Sequence, residues 1–190
     1  QEAYDLGIRL FGENKVQELL QKYPALPDDI EWHFIGHLQR NKVKMIVPFI
    51  SLIHSIDSPR LLAEVNNAAV KVGRVVDCLL QIHIAREETK YGFSIDECDE
   101  FLRGGEWKKF DYIRICGVMG MATFTDDETE VREEFETLKQ FFDRIKMRYF
   151  PNIEYFKEIS MGMSEDYPIA IKAGSSMIRV GSYIFGPRIY

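Results

Sequence analysis

Several features that would assign a chain to a special class are missing here. There are only three cysteines in 190 residues, Cys78, Cys98 and Cys116. They are odd in number, far apart and form no CxxC pair, which argues against a disulfide framework or a zinc site and points to a reducing, cytoplasmic compartment. No apolar run approaches the roughly 18 residues a spanning helix needs. The longest, Ile46-Val47-Pro48-Phe49-Ile50, is broken by proline, so no membrane association is expected. Positive charge is scarce as well. With 24 Lys and Arg against 30 Asp and Glu, the formal net charge is −6, and nucleic acid is not expected as a partner. No secretory leader is visible. The chain opens at Gln1 rather than at methionine, so a leader already removed would leave no trace.

What is present is an alternation of strand-like and helix-like segments in a chain that is 46% hydrophobic. Strands are expected at 8–11, 32–35, 52–56, 75–82, 112–116, 155–160 and 177–180. Between them lie helical patterns at 16–23, from about 41, from 59, at 95–102 and at 166–172, the last closed by Gly174. Ser58 and Pro59 supply an N-cap and a first helical residue, followed by an apolar face of Leu61, Leu62, Val65, Ala69 and Val72. The longest helix is expected to open on a capping box, Thr125-Asp126-Asp127-Glu128. Its buried face runs Val131, Phe135, Leu138, Phe142, Ile145, Tyr149 in steps of four and three.

Alternating βα units imply a parallel sheet. Seven strands can form an open doubly wound sheet or most of a barrel. The site residues favour a single α/β domain over 1–190, a (β/α)8 TIM-type barrel. The helix at 1–6 has no strand before it, so the first strand is expected upstream of Gln1.

In such barrels the loops after the last two strands often hold phosphate. Here they read Ser160-Met161-Gly162-Met163-Ser164 and Arg179-Val180-Gly181-Ser182. Glycine lets backbone N–H groups approach an anion, the serines add hydroxyls, Arg179 adds charge, and a helix starts after Ser164. Each loop alone reads more readily as turn glycines with a capping serine; the two in these positions together favour phosphate. Glu13 and Asn14 end one strand at the barrel mouth. His33 and His37 sit in a strand and the turn after it, without a carboxylate set, and read as structural groups rather than metal ligands. Met119-Gly120-Met121 suits either contact with a flat ring or core filling. Lys90, in the polar loop 86–92, lies at the same end of the barrel.

These segments resemble the pyridoxal 5′-phosphate (PLP) homeostasis proteins, barrels similar to the N-terminal domain of alanine racemase. The resemblance rests on Phe11-Gly12-Glu13-Asn14, Trp32-His33-Phe34-Ile35-Gly36, His54-Ser55-Ile56-Asp57, Lys90-Tyr91-Gly92-Phe93, Gly117-Val118-Met119-Gly120-Met121, Ser160–Ser164 and Gly174–Ser182. It implies PLP as cofactor, with Ser164, Arg179, Gly181 and Ser182 around its phosphate and ring and Asn14 near the ring; whether Arg179 meets the phosphate or the pyridine nitrogen stays open. The family's Schiff-base lysine lies upstream of Gln1, and Lys15, Lys42 and Lys90 match other positions.

The resemblance further implies a monomeric carrier that buffers PLP and delivers it to apo-PLP enzymes, without catalytic residues of its own. A PLP-dependent amino-acid racemase is the alternative. Racemisation needs a second acid–base group across the substrate carbanion. In alanine racemases an added β domain supplies it, and none is expected here. A barrel kept only as an interaction scaffold would make the phosphate loops coincidental.

Overall fold

The computed structural model describes residues 1–87 and 91–186; Lys90 lies outside the described residues. Seven parallel strands, β1 (Leu10–Glu13), β2 (Glu31–Phe34), β3 (Leu52–Ile56), β4 (Val76–Ile82), β5 (Ile113–Gly120), β6 (Glu158–Met163) and β7 (Met177–Arg179), pair strictly in chain order. The helices are α1 (Glu2–Asp5), α2 (Val16–Lys22), α3 (Val43–Ile46), α4 (Pro59–Val72), α5 (Ile95–Gly104), α6 (Glu128–Tyr149), α7 (Tyr167–Lys172) and α8 (Ser182–Phe185).

The sheet is curled into a nearly closed barrel. Flat strands three places apart would be separated by about 14 Å, yet His54 on β3 and Ser160 on β6 are in hydrogen-bond contact at 2.8 Å. The two faces of the sheet therefore bury different cores. Outward residues such as Phe34, Ile53, Leu80, Ile115 and Ile159 pack under the helices. Inside the barrel Leu52, Leu79, Cys116 and Met119 form a second, smaller cluster, with Met121 and Met177 against it. Burial on both faces explains why β4 is apolar almost throughout. Methionine 119 and its neighbour Met121 thus fill the interior.

Local chemistry sets the helix ends. Ser58 accepts the Leu61 N–H at the start of α4, which ends at Gly73 in the left-handed region, φ +65°. Ser94 and Glu97 form the reciprocal capping box of α5. On α6 the cap is Asp127 rather than Thr125. Its carboxylate accepts from the N–H groups of Thr129 and Glu130, while Thr125 Oγ1 accepts from Asp127 N–H. An ionised acceptor next to the first free N–H groups is the stronger cap.

Three strands run further along the chain than their composition implied, β1 covering Leu10–Glu13 rather than 8–11. β5 continues to Gly120, and β6 starts at Glu158 rather than 155. The cause at β6 is Phe156, which leaves the strand to stack between Phe150, at 4.0 Å, and Phe142, at 5.1 Å. The helix from 41 becomes a 3-10 turn at Arg40–Lys42 followed by the single turn of α3. Among the described residues no helix is long and apolar enough to cross a membrane.

Candidate cofactor site

With β6 ending at Met163, only Ser164 of its motif projects beyond the sheet. Gly162 makes that exit possible. Its φ is +95°, and an added Cβ would stand 2.6 Å from Ala170 Cβ, so the strand end lies flush on α7. Asp166 Oδ1 accepts the Met163 N–H at 2.5 Å and holds the turn. The Ser164 hydroxyl does not cap α7; its Oγ accepts the Gly181 N–H at 3.4 Å, tying together the loops after β6 and β7.

Beyond Gly181 the chain enters α8, whose first N–H groups, Ser182 and Tyr183, have no acceptor among the described residues. A Cβ at Gly181 would meet nothing within 4 Å, so open space lies in front of this loop. The Ser164 hydroxyl and the Ser182 and Tyr183 N–H groups thus remain as hydrogen-bond donors beside an open volume, with Gly181 N–H tied to Ser164 Oγ.

Arg179 lies below them, directed inward from the end of β7. Its Nη1 donates to Ser160 Oγ at 2.7 Å and its Nη2 to the Gly120 carbonyl at 3.1 Å. No carboxylate pairs with it among the described residues, and desolvation pushes its pKa down to about 10, opposed by Asp166. A desolvated cation without a counter-ion is costly, and a ligand acceptor or anion relieves that cost. This charge, with no carboxylate in salt-bridge contact and beside donors facing open space, fits a phosphate-bearing ring.

Behind Arg179 the interior holds a polar chain that sequence reasoning missed. Ser160 Oγ meets His54 Nδ1, and His54 Nε2 meets His33 Nδ1 at 3.0 Å. Ser160 is 0% exposed, His54 1% and His33 5%. Burial pulls the His33 pKa down to about 4, against Asp77; it also lowers that of His54, reinforced by His33 and Arg179. Both rings are neutral at physiological pH. The signal was in the strand period. His33 stands between the outward Trp32 and Phe34, and His54 two places from the inward Leu52, so both histidines must face the interior.

The remaining candidates scatter. Asn14 is exposed just past the end of β1. Glu13 does not line the mouth: it faces outward, buried, and pairs with Lys22 of α2. His37 stacks on Tyr91 at 3.8 Å, with Nδ1 3.3 Å from Asp57. Among the described residues no group of His, Cys, Asp and Glu could hold a metal ion.

The fold and the donor loops define a barrel of the alanine racemase type. The family described as "Alanine racemase, N-terminal domain" matches residues 1–188. The chain is 36% identical to the pyridoxal phosphate homeostasis protein of Aquifex aeolicus, covering 100% of this chain and 81% of that one. It is also 36% identical to the Escherichia coli K12 protein of the same name, over 100% of this chain and 80% of that one. Among solved structures, PipY of Synechococcus elongatus without PLP superposes with a TM-score of 0.90 at 33% identity, covering 97% of this chain and 85% of that one. The same protein with PLP bound gives 0.85 at 32%, with the same coverage. The chain belongs to the pyridoxal phosphate homeostasis protein family.

Proposed function

We propose that this chain binds PLP and serves as a cytoplasmic, non-catalytic carrier that buffers the cofactor and passes it to apo-PLP enzymes. The observation that carries the reading is Arg179, a half-buried guanidinium held by Ser160 and Gly120 with no salt-bridged carboxylate among the described residues, just ahead of a loop whose Ser182 and Tyr183 N–H groups have no acceptor there. Ser164, Gly181 and Ser182 would hold the phosphate by charge-assisted hydrogen bonds. Arg179, anchored inside the barrel by Ser160 and Gly120, would meet the ring rather than the phosphate, and Asn14 would approach the ring from β1.

PLP supplies an aldehyde that a lysine amine can capture. The family resemblance puts that lysine on a strand upstream of Gln1, which would fill the place between β1 and β7. Those two strands each have one paired neighbour among the described residues. The working unit in this reading is a monomeric barrel.

The test is a PLP titration of the full-length protein and its Arg179→Ala variant, followed by absorbance. The variant is expected to lose about 1.5–3 kcal/mol of binding, the range for hydrogen bonds to a charged group. Unchanged affinity overturns the site. Incubated with PLP and amino acids, the protein is expected to change neither their chirality nor their amino groups at an enzymatic rate. Turnover of about 1 s⁻¹ or more would restore the racemase.

A further inference from the structure

We propose that His54 and His33 are positioning residues for Arg179, acting through the Ser160 hydroxyl. The inference rests on the reading of Arg179 as a group that touches the cofactor.

A guanidinium can only donate, so Ser160 Oγ accepts from Arg179 Nη1. The hydroxyl keeps one hydrogen and one further lone pair, and the polar atom facing them is His54 Nδ1. Between His54 Nε2 and His33 Nδ1 there is room for one proton. Two neutral arrangements satisfy every contact. In one, Ser160 donates to His54 and His54 to His33. In the other, His33 donates to His54 and His54 to Ser160, which then accepts twice. In both, each link determines the next, so the orientation of the Ser160 oxygen under Arg179 depends on two imidazoles further back.

The chain of contacts joins β2, β3, β6 and β7, strands that are not all neighbours. Leu52, Leu79, Cys116 and Met119 line the apolar part of that interior beside the network. The charged groups that face the pair are Asp77 of β4 toward His33 and Arg179 of β7 toward His54. With both rings neutral, Arg179 is the cation at this end of the network. Its pose is fixed by dipoles instead of a carboxylate, which leaves its charge available to a ligand. Replacing His54 with an apolar residue frees the hydroxyl rotor and loosens the guanidinium without touching the phosphate loop.

The experiment is a double-mutant cycle on the full-length protein with PLP and inorganic phosphate as separate probes. His54→Leu is expected to weaken PLP binding about three- to tenfold, the effect of one hydrogen bond, and to leave phosphate affinity unchanged. In an Arg179→Ala background the same substitution is expected to have no effect on PLP. His54→Asn, whose amide reaches the Nδ1 position, is expected to recover most of the loss. If His54→Leu fails to fold, Ser160→Ala takes its place in the cycle. Equal losses in both backgrounds, or no loss in either, overturn the inference while leaving the cofactor site standing. An Arg179→Ala protein that binds PLP normally removes the cofactor reading and this inference with it.

Discussion

Gly117 on β5 lies so close to Glu158 on β6 that a Cβ built on it would stand 1.8 Å from the Glu158 carbonyl oxygen. The contact falls where the β4–β5 register shifts between Cys78 and Leu79, and it opens the β5–β6 ladder that runs Gly117↔Glu158 to Met119↔Ser160. Only a residue without a side chain lets these strands pair there.

Gly117→Ala should therefore force the two strands apart. The obstacle is backbone rather than a flexible side chain, so the cost is expected to exceed about 3 kcal/mol, at the severe end for single substitutions. Urea unfolding of the variant checks this. A midpoint close to that of the parent protein would mean that the ladder tolerates the methyl group.

Stability should also depend on pH through His33. Its pKa is near 6.5 in the unfolded chain and about 4 in the fold, lowered by burial. Between those values the unfolded chain binds a proton that the folded chain refuses. The stabilisation is therefore complete above 6.5 and is lost as pH falls toward 4. From pH 7 to pH 5 the loss attributable to His33 is about 2 kcal/mol, and His54 shifts in the same direction. Denaturant titrations at the two pH values measure it, and His33→Gln should flatten the slope. An identical slope in that variant would assign the acid sensitivity elsewhere.

The order of elements and the two donor loops could be read from the residues because they depend on local signals. Pro59 after Ser58, Gly174 after α7 and the apolar run of β4 each act within a few residues. The start of β6 could not be read, because Phe156 answers to Phe142 and Phe150, far away in sequence. Nor could the His54–Ser160 contact, since 106 residues separate the two, although the strand period turns His33 and His54 inward. Glu13 looked like a mouth residue from its place at the end of a strand, but the two-residue period turns it toward Lys22.

Two buried serines should respond in opposite ways. Ser55 Oγ is buried with no hydrogen-bond partner among the described residues, so Ser55→Ala removes an unsatisfied group and should leave stability unchanged or raise it by up to about 1 kcal/mol. Ser160 Oγ serves both Arg179 and His54, so Ser160→Ala strands a charged donor and an imidazole nitrogen. A loss of about 1–3 kcal/mol is expected there. Thermal melts of the pair, run side by side, decide it; equal effects would show that the interior network contributes nothing to folding.

Gly181 offers a way to separate binding from folding. Its φ is −125°, outside the left-handed region, and a Cβ there meets nothing within 4 Å. Gly181→Ala should therefore fold with a stability within about 0.5 kcal/mol of the parent, as a surface change does. The new methyl group would nevertheless project into the open space in front of the Ser182 and Tyr183 N–H groups, where the proposed phosphate would sit. Losing one charge-assisted hydrogen bond costs about 1.5–3 kcal/mol, so PLP affinity should fall at least about tenfold. Gly162→Ala is the control, because its methyl would meet Ala170 at 2.6 Å and disturb α7 before any ligand arrives. PLP titration together with thermal unfolding of both variants makes the distinction. If Gly181→Ala binds PLP like the parent protein, the phosphate is held elsewhere than in the loop after β7.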